Sequence, residues 1–308
     1  MRIAIVGSGG VGGYFGGRLA QAGESVIFVA RGAHLAAIRD EGLRVESIAG
    51  DFVIRPAEAI EVAEGRVVDV VLVAVKAWQV AEIAALLGPF LGEETFVVPL
   101  ENGVEAADRL EAAVGRGRVV GGLCKILSWV AAPGVIRHAG VTPQVAIGER
   151  DGSRSARVER LAQAFARAQG VSVSVPDDIE AAVWEKFLFI APTSGVGAVA
   201  RVPIGAWRDV AGTREMLESA MREIEEVARA RGVRLAEDAV ARTLAYVDSL
   251  PSEAMTSMQR DILEGRPSEL EDQIGAIVRL GREAHVAVPV HAYLYASLLP
   301  QELRARKR

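Results

Sequence analysis

The chain begins Arg2-Ile3-Ala4-Ile5-Val6 and runs without a break into Gly7-Ser8-Gly9-Gly10-Val11-Gly12. A short apolar, β-branched run of this kind reads as a buried strand, and the Gly-x-Gly-x-x-Gly spacing at its end leaves the backbone few options. Gly7 permits a tight turn off the strand, Gly9 lets the backbone approach a bound group closely, and Gly12 lets the next helix pack against the sheet. Glycine is common in this chain, at 32 of 308 residues, so the spacing alone says little. Its context says more: a helical segment from Val11 to Ala22 follows, Gly23 closes it, and Ser25-Val26-Ile27-Phe28-Val29-Ala30 reads as a second buried strand. The complete strand-turn-helix-strand unit predicts a dinucleotide-binding turn at Gly7, Ser8, Gly9, Gly10, Val11 and Gly12, with the phosphates at the N-terminus of the helix.

The end of the second strand bears on the choice of dinucleotide. A carboxylate there would hold the ribose 2′-hydroxyl of NAD, but the chain continues Ala30-Arg31-Gly32 and has no acid before Asp40. A guanidinium matches the oxygens of a 2′-phosphate, so Arg31 predicts NADP(H). The alternative is that Arg31 is a solvated residue after a strand.

With 308 residues, 50% of them hydrophobic and 24% charged, the chain can build two domains with cores of their own. A net charge of −5 provides no electrostatic reason for binding nucleic acid, and Arg304-Ala305-Arg306-Lys307-Arg308 reads as a solvated end. Cys124 is the single cysteine, which excludes an intrachain disulfide and a cysteine-rich metal site and fits a reducing, cytoplasmic setting. Ile3 to Val6 is too short for a signal-peptide core, and the 14 uncharged residues Phe187 to Ala200 contain Pro192, so neither export nor a membrane span is expected.

Further along, Ala33 to Glu41 reads as a helix and Leu43 to Ile54 as short extended pieces. Val67-Val68-Asp69-Val70-Val71-Leu72-Val73-Ala74-Val75 has the near-continuous apolar character of a central parallel strand and ends in Lys76. Thr95 to Leu100 is another strand, followed by Glu101 and Asn102-Gly103. Ligands of open parallel sheets sit beyond the carboxyl ends of the strands, so Lys76 and Asn102 are site candidates by position, with plain polar loop residues as the alternative. Strands at Arg118 to Leu123, Val135 to His138, Gln144 to Ile147 and Val171 to Val175, and a helix at Arg154 to Gln169, complete a mixed sheet.

From Asp177 the extended runs vanish, and the spacing predicts helices over Asp177–Ala191, Arg208–Arg231, Ala236–Asp248, Ser252–Glu264, Glu269–Ala284 and Pro289–Leu299. The expected fold class is therefore α/β plus all-α: residues 1–176 form a Rossmann-like doubly wound sheet, and 177–308 form a helical domain. Long amphipathic helices such as Arg208–Arg231 can bury their apolar face within the domain or against another subunit, which leaves a homodimer open.

Within the helical half, Lys186 lies beside the apolar Phe187-Leu188-Phe189-Ile190, where partial desolvation would suit a lysine to proton transfer; a snorkelling lysine with its head in water is the alternative. Ser268 and Glu271 have the spacing of a capping box, and Glu269 in the first turn would complement the helix dipole. Ser257 has no signal of its own. His34, His138, His285 and His291 show neither metal-ligand nor triad spacing, so no metal site is expected.

Taken in order, the glycine turn, Arg31, Val75-Lys76-Ala77-Trp78-Gln79-Val80, Glu101-Asn102-Gly103-Val104, Trp184-Glu185-Lys186, Ser257-Met258-Gln259-Arg260-Asp261 and Glu269 resemble the ketopantoate reductase (2-dehydropantoate 2-reductase) family over nearly the whole chain. The resemblance implies NADPH-dependent reduction of ketopantoate to pantoate, a step towards pantothenate and coenzyme A, in a cleft between a Rossmann domain and a helical domain. Lys186 would then be the general acid, with Glu269 orienting it and the substrate. Ser257 would hold the substrate carboxylate, Lys76 and Asn102 would line the cofactor and substrate cleft, and Arg31 would meet the 2′-phosphate. The chain departs from the family pattern at the two positions, four and eight residues after the lysine, that usually carry asparagines: here they are Ile190 and Ser194. Ser194 remains a candidate substrate contact, and Ile190 opens the alternative of another branched or bulkier 2-keto acid. A non-catalytic NADP(H)-binding sensor is the alternative from a different functional class.

Overall fold

The first strand, β1 (Arg2–Val6), alternates its side chains between two cores, which explains why the run is apolar throughout. Ile3 and Ile5 enter one core, and Ala4 and Val6 enter the other. A computed structural model describes residues 1–63 and 65–307 of the chain. They divide into two units, one comprising Met1–Glu101 with Ala106–Ile179 and the other Asn102–Glu105 with Glu180 onward.

In the first unit, β1 leads into α1 (Gly10–Gln21), β2 (Ser25–Val29), α2 (Gly32–Glu41), β3 (Leu43–Ser47), β4 (Phe52–Ile54), β5 (Glu58–Ile60) and β6 (Val68–Val73). Then come α3 (Val80–Ala84), β7 (Leu91–Pro99), α4 (Ala106–Val114), β8 (Gly121–Ala132), β9 (Val135–Gly148), α5 (Ala156–Arg167) and β10 (Ser172–Ser174). One sheet has the order β5-β2-β1-β6-β7 with every pair parallel, which is the doubly wound arrangement. The other runs β10-β9-β3-β4, with β8 antiparallel to β9.

Helix α1 touches both sheets, and its glycines make that possible. A Cβ at Gly12 would lie 2.2 Å from the Gly7 carbonyl oxygen, and one at Gly16 2.6 Å from Ile5. On the other side, a Cβ at Gly13 would lie 2.7 Å from Ile136 of β9.

The second sheet differs from the sequence expectation. The pieces read as Val135–His138 and Gln144–Ile147 both lie in β9, and the end of the piece read as Arg118–Leu123 begins β8, its partner in one long hairpin turned at Pro133-Gly134, while Val119 bridges Val97 of β7. Its register shifts between Lys125 and Leu127 and again between Val130 and Ala132, so no unbroken alternation marks it in the sequence. Strand β5 was not foreseen; three residues are too few for a period-two pattern.

The second unit contains α6 (Ile179–Ala200), α7 (Ile204–Trp207), α8 (Ala211–Ala230), α9 (Ala239–Ser249), α10 (Ser257–Leu263), α11 (Ala276–Ala284) and α12 (Pro289–Arg306). Expected to stop at Ala191, α6 instead runs through Pro192. Proline removes one helical hydrogen bond, and burial of Ala191, Val196 and Ala198 in the core outweighs that loss. Along α8, Leu217, Met221, Ile224 and Ala228 are buried, as their spacing predicts.

The expected Ser268–Glu271 capping box does not form. Ser268 donates its Oγ to Glu302 of α12 at 2.6 Å, and Glu302 also accepts the Ser268 backbone N–H at 3.0 Å. Glu271 instead accepts from the Tyr295 hydroxyl at 2.6 Å and pairs with Arg279. Residues Glu271–Gly275 form a π-helical turn directly ahead of α11.

Among the described residues no helix is long and apolar enough to cross a membrane, and no group of three or more His, Cys, Asp or Glu side chains gathers to hold a metal ion.

Candidate active site

In the first unit, β1, β2 and β6 are parallel neighbours, with Val6 opposite both Val29 and Val73, so the residues after them share one sheet edge. The glycine turn, Arg31 and Lys76 all follow at that edge. Gly7 turns there with φ +95°, and a Cβ on it would lie 2.8 Å from the Ala74 backbone. Ser8 is buried and tied down: its N–H and its Oγ both donate to the Val29 carbonyl, at 3.1 and 3.0 Å. Gly9 caps α1 in an extended conformation with no side-chain acceptor, and the first turn carries no acidic residue. A Cβ on Gly9 would meet nothing within 4 Å, whereas one on Gly10 would lie 2.5 Å from the Ser128 carbonyl oxygen. Val11 packs partly buried against the core. Helix N–H groups, open space at Gly9 and no first-turn carboxylate together fit a pyrophosphate.

Arg31 follows β2 as the N-cap residue of α2, with an exposed side chain 3.6 Å from Glu82. A pair this exposed is worth only about 0–1 kcal/mol, so a phosphate can readily take the guanidinium. Lys76 sets its ammonium 5.6 Å from the centroid of the Trp78 ring, a cation–π distance.

In the second unit, Lys186 is half-buried on α6 between Trp184 and Phe187, whose rings meet edge to face at 6.0 Å. Ile190 and Ser194 follow it by one and two turns on the same side of the helix. Ser194 is fully buried, and its Oγ has no hydrogen-bond partner.

Glu269 is nearly fully buried, and its Oε2 accepts two amide hydrogens, from Asn102 Nδ2 at 3.1 Å and Gln273 Nε2 at 3.2 Å. Asn102 therefore meets a residue 167 positions away. Its loop is held by Arg279, which reaches Glu105 at 2.7 Å and also pairs with Glu271. Burial, then the hydrogen bond to Glu271, pushes the Tyr295 hydroxyl up to about 12, so it stays a neutral donor to this network.

Ser257 is the first residue of α10, and Thr256, not Ser257, supplies the cap by accepting the Gln259 N–H at 3.2 Å. Gln259 pins α10 to the end of α6 through the carbonyls of Gly197 and Val202, at 3.0 and 2.9 Å. Gly195 gives α6 a close approach to Ile274, where a Cβ would lie 2.9 Å away. Elements bearing Ser257 and Gln273 thus both pack on α6.

Sequence reasoning assigned no role to Gln273, Arg279 or His34. The i, i+4 spacing of Glu269 and Gln273 was the one available signal for the first. Nothing in the sequence pairs Arg279 with Glu105.

Comparison with known proteins relates both halves of the chain to one family. The sequence model described as ketopantoate reductase PanE/ApbA matches residues 3–152, and the one described as its C terminal matches residues 178–302. An uncharacterised oxidoreductase of Bacillus subtilis is 30% identical, with 97% of this chain and 98% of that protein covered. A 2-dehydropantoate 2-reductase of Halobacterium salinarum is 33% identical, with 94% and 95% covered. Among solved structures, a ketopantoate reductase of Ralstonia eutropha superposes with a TM-score of 0.90 at 31% identity, covering 99% of this chain and 100% of that one. D-mandelate dehydrogenase with NADH and anilino(oxo)acetate shares the fold at a TM-score of 0.90 and 22% identity, covering 99% of both chains. With family models matching both units in order and relatives aligned nearly end to end, the chain belongs to the ketopantoate reductase family of oxidoreductases.

Proposed function

We propose that this chain reduces a 2-keto acid to the 2-hydroxy acid with NADPH, and that ketopantoate is the first substrate to test. The observation that carries the reading is the Glu269 carboxylate, buried and held by the Asn102 and Gln273 amides in the unit that also bears Lys186. When bound, the nicotinamide supplies the hydride. The Lys186 ammonium donates a proton to the carbonyl oxygen as negative charge develops there, a role typically worth roughly 10²- to 10⁴-fold in rate. Glu269 orients that ammonium and the substrate, Asn102 holds Glu269 in place, and Ser257 receives the substrate carboxylate. The glycine turn, Arg31 and Lys76 bind the dinucleotide. Keto acid, NADPH and one proton become hydroxy acid and NADP⁺.

Ile190 favours a second reading with the same chemistry, in which the pocket takes a bulkier or branched keto acid. An isoleucine cannot offer the amide donor and acceptor that a substrate hydroxyl would use, and losing such a bond shifts preference by orders of magnitude. Ser194, buried without a partner, retains a hydroxyl for a polar substrate group. Retention of Lys186 with Glu269 counts against a non-catalytic sensor. An NADPH-dependent reduction and a lone buried cysteine suit the cytoplasm.

NADPH consumption with ketopantoate, pyruvate, 2-ketoisovalerate and phenylglyoxylate, beside a no-substrate control, tests the proposal. Turnover selective for ketopantoate supports the first reading, and turnover selective for a bulkier acid supports the second. Tight NADPH binding with no oxidation across the panel would leave the sensor. Lys186→Ala should lose at least about 10²-fold in kcat while NADPH affinity stays within a few-fold. A surviving rate would remove Lys186 as the general acid.

A further inference from the structure

We infer that His34 positions the phosphate-binding turn by holding the Ser8 carbonyl, which aims the Gly9 N–H into the open space where the cofactor pyrophosphate would lie; this rests on the dinucleotide reading above. His34 lies in the first turn of α2, and its two ring nitrogens have different partners. The Gly134 N–H, at the tip of the β8–β9 hairpin, donates to His34 Nδ1 at 3.0 Å. Nδ1 therefore keeps its lone pair, the proton sits on Nε2, and Nε2 donates to the Ser8 carbonyl oxygen at 2.8 Å.

The consequence follows from peptide geometry. The Ser8–Gly9 bond is trans, so its C=O and N–H point in opposite directions. With the carbonyl drawn to His34, the Gly9 N–H is directed away from the imidazole. Gly9 is the N-cap residue, so this N–H has no partner within the helix, and a Cβ on Gly9 would meet nothing within 4 Å. If this peptide flipped, its carbonyl oxygen would face the phosphate oxygens and repel them. Ser8 cannot replace the histidine from its own side, because its N–H and its Oγ are both spent on Val29. The hairpin tip that anchors His34 also rests on α2, where a Cβ on Gly134 would lie 3.0 Å from that of Ala37. His34 thus links the second sheet to the glycine turn, and it is a positioning residue.

The test measures NADPH and adenosine 2′-monophosphate binding by the purified protein, by fluorescence and calorimetric titration, with thermal melting alongside. Adenosine 2′-monophosphate keeps the phosphate that Arg31 would meet but has no pyrophosphate. In His34→Ala the NADPH Kd should rise by about tenfold or more, the loss expected of one ordering hydrogen bond, while the Kd of adenosine 2′-monophosphate stays within about twofold. In His34→Gln, whose amide N–H can still reach Ser8, at least part of the NADPH affinity should return. Equal weakening of both ligands, an unchanged NADPH Kd, or no recovery in a folded His34→Gln would overturn the assignment. Failure of the unaltered protein to bind NADPH or NADH would instead overturn the cofactor reading itself, and the role of His34 with it.

Discussion

Arg31 and Glu82 form a contact that a phosphate would have to break. At 3.6 Å and with both side chains more than half exposed, the pair contributes little to stability, so replacing Arg31 should leave the fold intact. If the guanidinium meets a 2′-phosphate, Arg31→Ala should raise the NADPH Kd by about 10- to 100-fold and leave NADH binding nearly unchanged. Titrating both dinucleotides against both proteins checks this, and an unaltered preference would take Arg31 out of the site. At this scale the sequence was readable where a residue's neighbours in the chain define its surroundings: Arg31 follows a strand, and Gly7, Gly9 and Gly12 punctuate one. It was unreadable where the surroundings come from elsewhere. Asn102 and Gln273 meeting on one oxygen of Glu269, and Arg279 spanning Glu105 and Glu271, are products of the folded unit.

At the scale of elements, α1 shows how glycines decide packing. Its fingerprint glycine, Gly12, has the Gly7 carbonyl oxygen 2.2 Å from where a Cβ would be, closer than any side chain tolerates. Gly12→Ala should therefore lower stability by about 1–3 kcal/mol through overpacking, and weaken dinucleotide binding by moving the turn. Urea denaturation and NADPH titration measure the two effects. Normal stability with normal binding would mean that α1 can shift without cost. Elements with one strong local signal were legible: β1, β2, β6 and the buried stripe of α8. Their limits were not, wherever distant contacts took over from local preference. Pro192 does not end α6, because the core on either side rewards continuation. Glu302, a residue of the last helix, does the work at Ser268 that Glu271 was expected to do, since a buried N–H and hydroxyl donate to whichever carboxylate the packing supplies.

For the whole molecule, two carboxylates of the first unit are held by cations: Glu24 joins the start of the chain to Arg167 of α5, and Glu149, just after β9, meets Ser155 and Arg157 at the start of α5. Burial pushes the Glu149 carboxyl up, but hydrogen bonds from Arg157 and Ser155 outweigh it and hold it below its ordinary 4.5; Glu24 is lowered in the same way by the N-terminal ammonium and Arg167. A carboxyl lowered on folding adds stability that is present above its unfolded value and is lost as the pH falls through the lower folded one. The protein should accordingly lose stability progressively below about pH 4.5, and Glu149→Gln should be less stable at neutral pH with a shallower acid limb. Chemical denaturation across pH 3 to 7 reads both, and parallel acid limbs would exclude Glu149 as a contributor. The sequence by itself determined the family, the doubly wound sheet with a helical partner, and the glycine turn between β1 and α1, because hydrophobic period and glycine spacing are local properties that need no partner to be read. Only the tertiary structure decided which amides hold Glu269, that Asn102 groups with the helical unit, and that His34 fastens the glycine turn, because each depends on atoms that the chain brings together only after folding.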